Sequence, residues 1–445
     1  MKISVATLMA SLLLAVVVTA ASAAPAKSAR KAQATAAPPP PQEIVLRHNL
    51  SGTPLDALAT LALQFNDHEA KLKAGGGRIT LEDVQGIGSG DRARLPHLAL
   101  FDQDDAMSMF DTRPSFRQLH QVMATGKGRF DARMFYPQMI DAVDDLSGKM
   151  QALPLAFSLP VLFYNKAAFA KAGLNVDAPP KTWWELQGAA GALREAGFKC
   201  PLTSSRFAWV HLENVAAQQG EPQVVKNGKL DQLALNNMVN VKHLALLTSW
   251  QKSLYFIYSG PGREGDDRFA SGECAMLTGE SSLYARLAKI PDFPLGIAAL
   301  PHYDDVYVVR EASVLPDGAA LWVLAADKRP EQLVIARFIT FLLKPEIQRE
   351  WVRATGFLPM SPAAMQALRE SGANPVLLDR AERRLSMSKR DSARTRNGFG
   401  KSGIRTILNE EVESVWSNQK PAKEALDTAV LRAAPVLAAP PTIRR

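Results

Sequence analysis

The stretch LPVLFYNKAAFAKAGL, residues 159–174, decides the fold. Val161–Asn165 is a short apolar run rich in aromatic and branched side chains, the composition of a buried strand. From Lys166 the alanines and Phe169 favour a helix, and Gly173 ends it. A strand that feeds directly into a helix is the repeating unit of α/β layers. Just downstream, PPKTWWEL (179–186) contains Thr182-Trp183-Trp184-Glu185, a capping-box signature that predicts a helix to about Ala196, stopped by Gly197. Toward the C-terminus the same periodicities predict helices over 208–218, 231–254, 281–289, 330–343, 345–354, 362–370, 404–417 and 421–433. Short strands are predicted near 274–278, 295–299 and 319–325. Toward the N-terminus EIVLRHNL (43–50) predicts a strand, followed by a helix capped by Thr53 and carrying Leu55, Leu58, Leu61, Ala62 and Phe65 on one face. His97–Phe101 predicts a further strand.

At 445 residues the chain is too long for one core, and two or three domains are expected. Hydrophobic residues make up 47%, which excludes a disordered chain. The net charge of +8 sits largely in the tails: Lys2, then Lys27, Arg30 and Lys31 without an acid between them, and Arg444 with Arg445. Nucleic acid is therefore not an expected partner. Residues 1–23 have a basic start, an apolar run from Ile3 to about Ala20, and the small-x-small sequence Ala21-Ser22-Ala23. They are expected to be an export signal cleaved before Ala24, placing the mature protein in the periplasm. Residues 24–43 follow as an Ala/Pro/Lys-rich tether with Pro38–Pro41 in a row. In an oxidising compartment Cys200 and Cys274 could form one disulfide or stay as two small buried hydrophobes.

Catalytic signatures are missing. There is no phosphate loop of the GxxxxGK[ST] type, no HExxH and no Gly-x-Ser-x-Gly elbow. The seven histidines form no i,i+2 or i,i+4 pair, and two cysteines without His or Cys at ligand spacing are no zinc site. Neither a metal nor a cofactor is expected. Gly86–Gly90 lacks a strong preceding strand and dinucleotide spacing, so it is expected to be a plain loop. One segment does suggest anion binding. NGFGKSGIR (397–405) is a Gly-rich loop entering a helix, with Lys401 and Arg405 beside the backbone N–H groups of the helix start.

Several stretches resemble, in the same order, the sn-glycerol-3-phosphate-binding proteins of bacterial ABC importers. Besides residues 159–174 and 179–186 they are REAGFKC (194–200), HLEN (211–214), FASGECAM (269–276), GAALWVLA (318–325), TGFLPMS (355–361), EEVESVW (410–416) and PAKEALDTAV (421–430). The resemblance implies a type II periplasmic binding fold: two α/β lobes, a ligand cleft between them, and a hinge the chain crosses three times. Lobe one is placed at 44–155 plus 312–356, and lobe two at 156–311 plus 357–445. It also implies a monomer that is not an enzyme, capturing glycerol-3-phosphate, a glycerophosphodiester or another phosphorylated polyol. The implied partners are permease subunits in the inner membrane with a cytoplasmic ATPase. A sugar or oligosaccharide ligand on the same fold is the alternative, and an exported phosphoester hydrolase is the reading from another class.

The family's contacts carry over unevenly. For the phosphate end the resemblance implies Ser158, Gly318 and Arg405, with Phe357 where the family has tyrosine and Glu280 or Ser281 where it has serine. For the glycerol end, Gln103 stands in place of a glutamate, Arg206 in place of a tryptophan, and Trp209 is kept nearby. A lobe-one tyrosine has no counterpart around 78–92. The anion contacts are thus better preserved than the polyol contacts.

Overall fold

The computed structural model describes residues 40–72, 76–84, 95–102, 116–126, 130–143, 149–228, 230–305, 314–371, 381–383, 385–386 and 403–438. The expected export signal, most of the tether, Gln103, Lys401 and most of the 397–403 loop lie outside them.

Two mixed sheets organise the chain. The first is five-stranded, in the order β2-β1-β3-β11-β4. Its strands are β1 (Gln42–His48), β2 (Gly77–Asp83), β3 (Leu98–Asp102), β4 (Leu153–Ser158) and β11 (Asp317–Val323). β1 runs parallel to β2 and β3, while β11 runs antiparallel to β3 and β4. The second sheet has the order β10-β5-β9-β6, built from β5 (Pro160–Asn165), β6 (Cys200–Ser204), β9 (Cys274–Glu280) and β10 (Leu295–Ala299). β4 is buried along its whole length and β5 along all but its last residue. Strands covered on both faces read as continuous apolar runs instead of alternating ones.

Each sheet has its own hydrophobic cluster. Around the first, Phe65 of the helix Gly52–Glu69 meets Phe338 edge-on at 5.0 Å between ring centres. Trp351 donates its indole N–H to the Leu155 carbonyl at 2.8 Å. Around the second sheet, Trp183, Leu186 and Leu193 of Trp183–Glu195 pack with Trp209 and Trp250, and the two last helices, Ile404–Trp416 and Ala422–Ala438, close over the same cluster. Burying each such large apolar side chain contributes roughly 1.5–3 kcal/mol. Leu358, Met360, Met365 and Leu368, expected in lobe two, pack instead in the first cluster.

Local chemistry explains most element ends. The Thr182 hydroxyl accepts from the Glu185 N–H at 3.1 Å, and the Glu185 carboxylate accepts from the Thr182 N–H at 3.3 Å. Both halves of the capping box are therefore made. At the first helix Ser51, not Thr53, precedes the first turn. The long helix expected over 231–254 begins only at Met238, because Leu230–Leu233 (β8) pairs back onto Val224–Asn227 (β7). Gly228, directly after the paired Asn227, turns the chain there at φ +62°. Cys200 and Cys274 face each other across β6 and β9 and are joined by a disulfide.

Beneath the second sheet lies a buried polar chain. The Tyr303 hydroxyl is 2.8 Å from His243 Nδ1, and His243 Nε2 is 2.9 Å from His211 Nδ1. His211 Nε2 lies 2.9 Å from the hydroxyls of Ser204 and Thr278. Burial holds both imidazoles below their ordinary range, His243 at about 3, so both are neutral.

Candidate ligand-binding site

The two sheets meet where β4 becomes β5, with only Leu159 between Ser158 and Pro160. Strand register then places the side chains. Asp317, first residue of β11, lies opposite Ser158 in the first sheet, and Glu280, last residue of β9, lies opposite Pro160 in the second. The contact is fastened by the Leu159 N–H donating to the Ser281 hydroxyl at 3.0 Å and by the Ser281 N–H donating to the Leu159 carbonyl at 2.9 Å. The return passage lies alongside: the Leu358 N–H donates to the Phe157 carbonyl at 2.8 Å. Two glycines permit this closeness. A Cβ on Gly318, at φ +152°, would stand 2.0 Å from the Ala156 carbonyl oxygen, and one on Gly356 would stand 2.3 Å from that of Ser282.

A ladder of alternating charges spans the meeting point. Arg405 grips Glu213 bidentately, Nε to Oε1 at 2.6 Å and Nη2 to Oε2 at 2.7 Å. Its Nη1 reaches across to Asp317 Oδ2 at 2.7 Å. The same Asp317 oxygen accepts from Arg206 Nη2, while Arg206 Nη1 donates to Glu280 Oε1 at 2.6 Å. Arg263 closes the series on Glu280 Oε2 at 2.7 Å. All members but Arg263 are well covered, with 13% of the Arg405 side chain and 3% of Glu213 exposed. Breaking such a covered pair by removing one partner typically costs about 3–5 kcal/mol.

The chain folds locally to present these groups. Arg206 holds a left-handed backbone, φ +49°, and donates its N–H to the Gly262 carbonyl. That conformation costs a non-glycine residue roughly 1–2 kcal/mol. A π-helical segment, Ala208–Glu213, follows and runs into Asn214–Gln218. Such wide turns recur at functional sites. Here it sets Trp209 beneath the Arg206 guanidinium, 4.8 Å from the ring centre, and aims Glu213 at Arg405. The Trp209 indole N–H donates to the Leu315 carbonyl at 3.2 Å, tying this segment to the approach of β11.

The electrostatics follow from the pairing. Burial pushes the Asp317 carboxyl up, but Arg405 and Arg206 outweigh it and hold the group below the usual carboxylate range. Burial likewise opposes ionisation of Glu280, and Arg206 with Arg263 overcome it, leaving the group at about 2. Asp266, held by the Ser205 hydroxyl, has its carboxyl pushed up to about 6 by burial.

Of the residues expected from sequence, Ser158, Gly318, Glu280, Ser281, Trp209 and Arg405 gather at this meeting point. The Ser158 hydroxyl is buried without a hydrogen-bond partner among the described residues. Phe357 sits on the return passage, its ring stacked on Trp351 at 5.8 Å. Arg405 does reach the site, but as an arginine shared by two carboxylates. Asp317, Glu213 and Arg263 were not anticipated. Glu213 falls within the quoted HLEN stretch and Asp317 adjoins Gly318, so each lay one step from a recognised position.

Residues 91–375 match the sequence model of a family described as bacterial extracellular solute-binding protein. The chain belongs to this family. Among its relatives, the sn-glycerol-3-phosphate-binding periplasmic protein UgpB of Salmonella paratyphi A is 35% identical over 326 residues, covering 72% of this chain and 74% of that protein. The UgpB of Yersinia enterocolitica is 30% identical over 401 residues, covering 88% and 91%. Among solved structures, UgpB from Mycobacterium tuberculosis in complex with glycerophosphocholine superposes with a TM-score of 0.68 at 20% identity, covering 89% of this chain and 98% of that one. The cyclic alpha-maltosyl-1,6-maltose binding protein from Arthrobacter globiformis gives 0.66 at 20% identity, covering 89% and 99%. The fold is the two-lobed type II binding-protein fold. Like other members of its family, the protein is a solute-binding component of an ABC importer and works with permease and ATPase subunits.

Proposed function

We propose that this chain is a periplasmic, monomeric, non-catalytic receptor that captures glycerol-3-phosphate, a glycerophosphodiester or a related phosphorylated polyol and delivers it to an inner-membrane permease. The observation that carries the reading is that two guanidiniums, from Arg405 and Arg206, converge on one carboxylate oxygen, that of Asp317, which pairs in strand register with Ser158, whose buried hydroxyl has no partner among the described residues. Paired arginine forks with a hydroxyl match the acceptor-rich face of a phosphate. Gly318 lets β11 lie close against β4 beside Asp317, and Trp209, Phe357, Glu280 and Ser281 are proposed for the rest of a small ligand. Gln103 is proposed for the polyol end. Lobe one is assigned to 44–155 and 312–356, extended by the segment near 358–368 that packs in its cluster, and lobe two to 156–311 and the last helices.

A thermal-shift panel of sn-glycerol 3-phosphate, glycerophosphodiesters, glycerol and maltose tests the reading. A bound ligand stabilises by about 2.7 kcal/mol at a hundredfold excess over Kd. Stabilisation by the phosphorylated members is expected. Stabilisation by maltose alone would overturn the ligand class, and release of free phosphate during incubation would overturn the non-catalytic role.

A further inference from the structure

The two arginines that would grip a ligand anion already hold one, and it belongs to the chain. Asp317 Oδ2 takes a donor from Arg405 and a donor from Arg206. The two guanidiniums come from different elements around the second sheet, whereas Asp317 opens β11 of the first and lies opposite Ser158. Its carboxylate is one-tenth exposed, so it is fixed inside the site. Glu213 and Glu280 engage further donors of the same two arginines. A phosphate approaching Arg405 and Arg206 therefore meets an ionised carboxylate between them.

We propose that Asp317 is a specificity-determining residue that selects ligands by charge: it competes with the ligand for Arg405 and Arg206 and so favours a phosphodiester, with one negative charge, over a phosphomonoester, with nearly two at neutral pH. The proposal rests on the phosphorylated-polyol reading. Its physical basis is that the repulsion between a fixed carboxylate and a ligand grows in proportion to ligand charge. Asp317 thus costs a dianion twice, on the logarithmic scale, what it costs a monoanion, and costs a neutral polyol nothing. At roughly 6 Å and an effective dielectric of about 40, between protein and water, one ligand charge corresponds to about a tenfold change in affinity.

The experiment is isothermal titration of wild type and Asp317→Asn with sn-glycerol 3-phosphate, glycerophosphoglycerol and glycerol. Asp317→Asn should tighten the monoester by about a hundredfold and the diester by about tenfold, leaving glycerol unchanged. The double variant Asp317→Asn/Arg206→Gln restores the original charge balance and should lose most of the gain for both esters. If Asp317→Asn does not fold, Asp317→Gly removes the carboxylate without a new polar group to bury, and the ratio of the two gains is read from it. Equal changes for all three ligands, or none, would show that Asp317 only braces the structure and would overturn the proposal while leaving the phosphorylated-polyol reading in place. No binding of either ester to wild type or variant overturns both.

Discussion

Removing the Arg405 side chain tests the ladder as a unit. Arg405→Ala deletes the bidentate partner of Glu213 and one of the two partners of Asp317, stranding two covered carboxylates at once. Asp317 keeps Arg206, so the larger share of the loss should fall on Glu213. Unfolding in urea should then show a stability loss of about 3–5 kcal/mol, read as a lower midpoint at unchanged slope. Arg405→Lys should recover only part, because an ammonium cannot reproduce the fork that meets both Glu213 oxygens. The double variant Arg405→Ala/Glu213→Gln removes the stranded charge and should regain at least about half of the loss. Binding gives a second readout: a phosphorylated ligand should weaken by about ten- to a hundredfold while a neutral polyol loses much less. Unchanged stability in Arg405→Ala would refute the ladder. Equal affinity losses for charged and neutral ligands would show that Arg405 supports the fold without touching the anion.

Gly318→Ala should cost at least about 2 kcal/mol and shift strand β11, since the added methyl meets the Ala156 carbonyl in a backbone region that disfavours it; circular dichroism melting checks this. His211 and His243 are neutral in the fold with their pKa values lowered, so below the ordinary histidine value of about 6.5 the unfolded chain binds more protons. Their contribution to stability is full above that pH and is lost as pH falls toward about 3, with a slope approaching about 1.4 kcal/mol per pH unit per histidine. Asp266 acts in the opposite sense up to about pH 6, so the measurement is the difference in pH dependence between wild type and His243→Gln; identical curves would count against a neutral buried pair. Ligand at saturation should reduce the radius of gyration in solution scattering without altering the far-ultraviolet spectrum, as two lobes close over it.

Much of the fold was legible because it is encoded locally. The strand-to-helix run at 159–174 and the capping box at Thr182 depend on neighbours in sequence, and both formed as expected. The β7–β8 hairpin was missed because leucines at 230, 233 and 235 also suit a helix, and Gly228 was the better signal of a turn. The site was legible only as positions. Arg405 could be placed at the start of a helix, yet its partners Glu213 and Asp317 lie 192 and 88 residues away in sequence. No local pattern announces which charges a fold will bring together. The disulfide was undecided for the same reason, since only the parallel pairing of β6 and β9 brings Cys200 beside Cys274.

The single residue separating β4 from β5 has a mechanical consequence. Leu159 is pinned through its own N–H and carbonyl to Ser281, and Pro160 has its φ restricted by its ring. Few torsions there are free, so the passage resembles a short torsion bar more than a tether. Relative movement of the sheets is confined to a narrow family of rotations, and clamping down on a solute freezes little that was not already frozen. Ordering flexible segments normally subtracts from association energy. At this joint that subtraction is small, so closing the two sheets over a small solute takes little ordering of the chain between them.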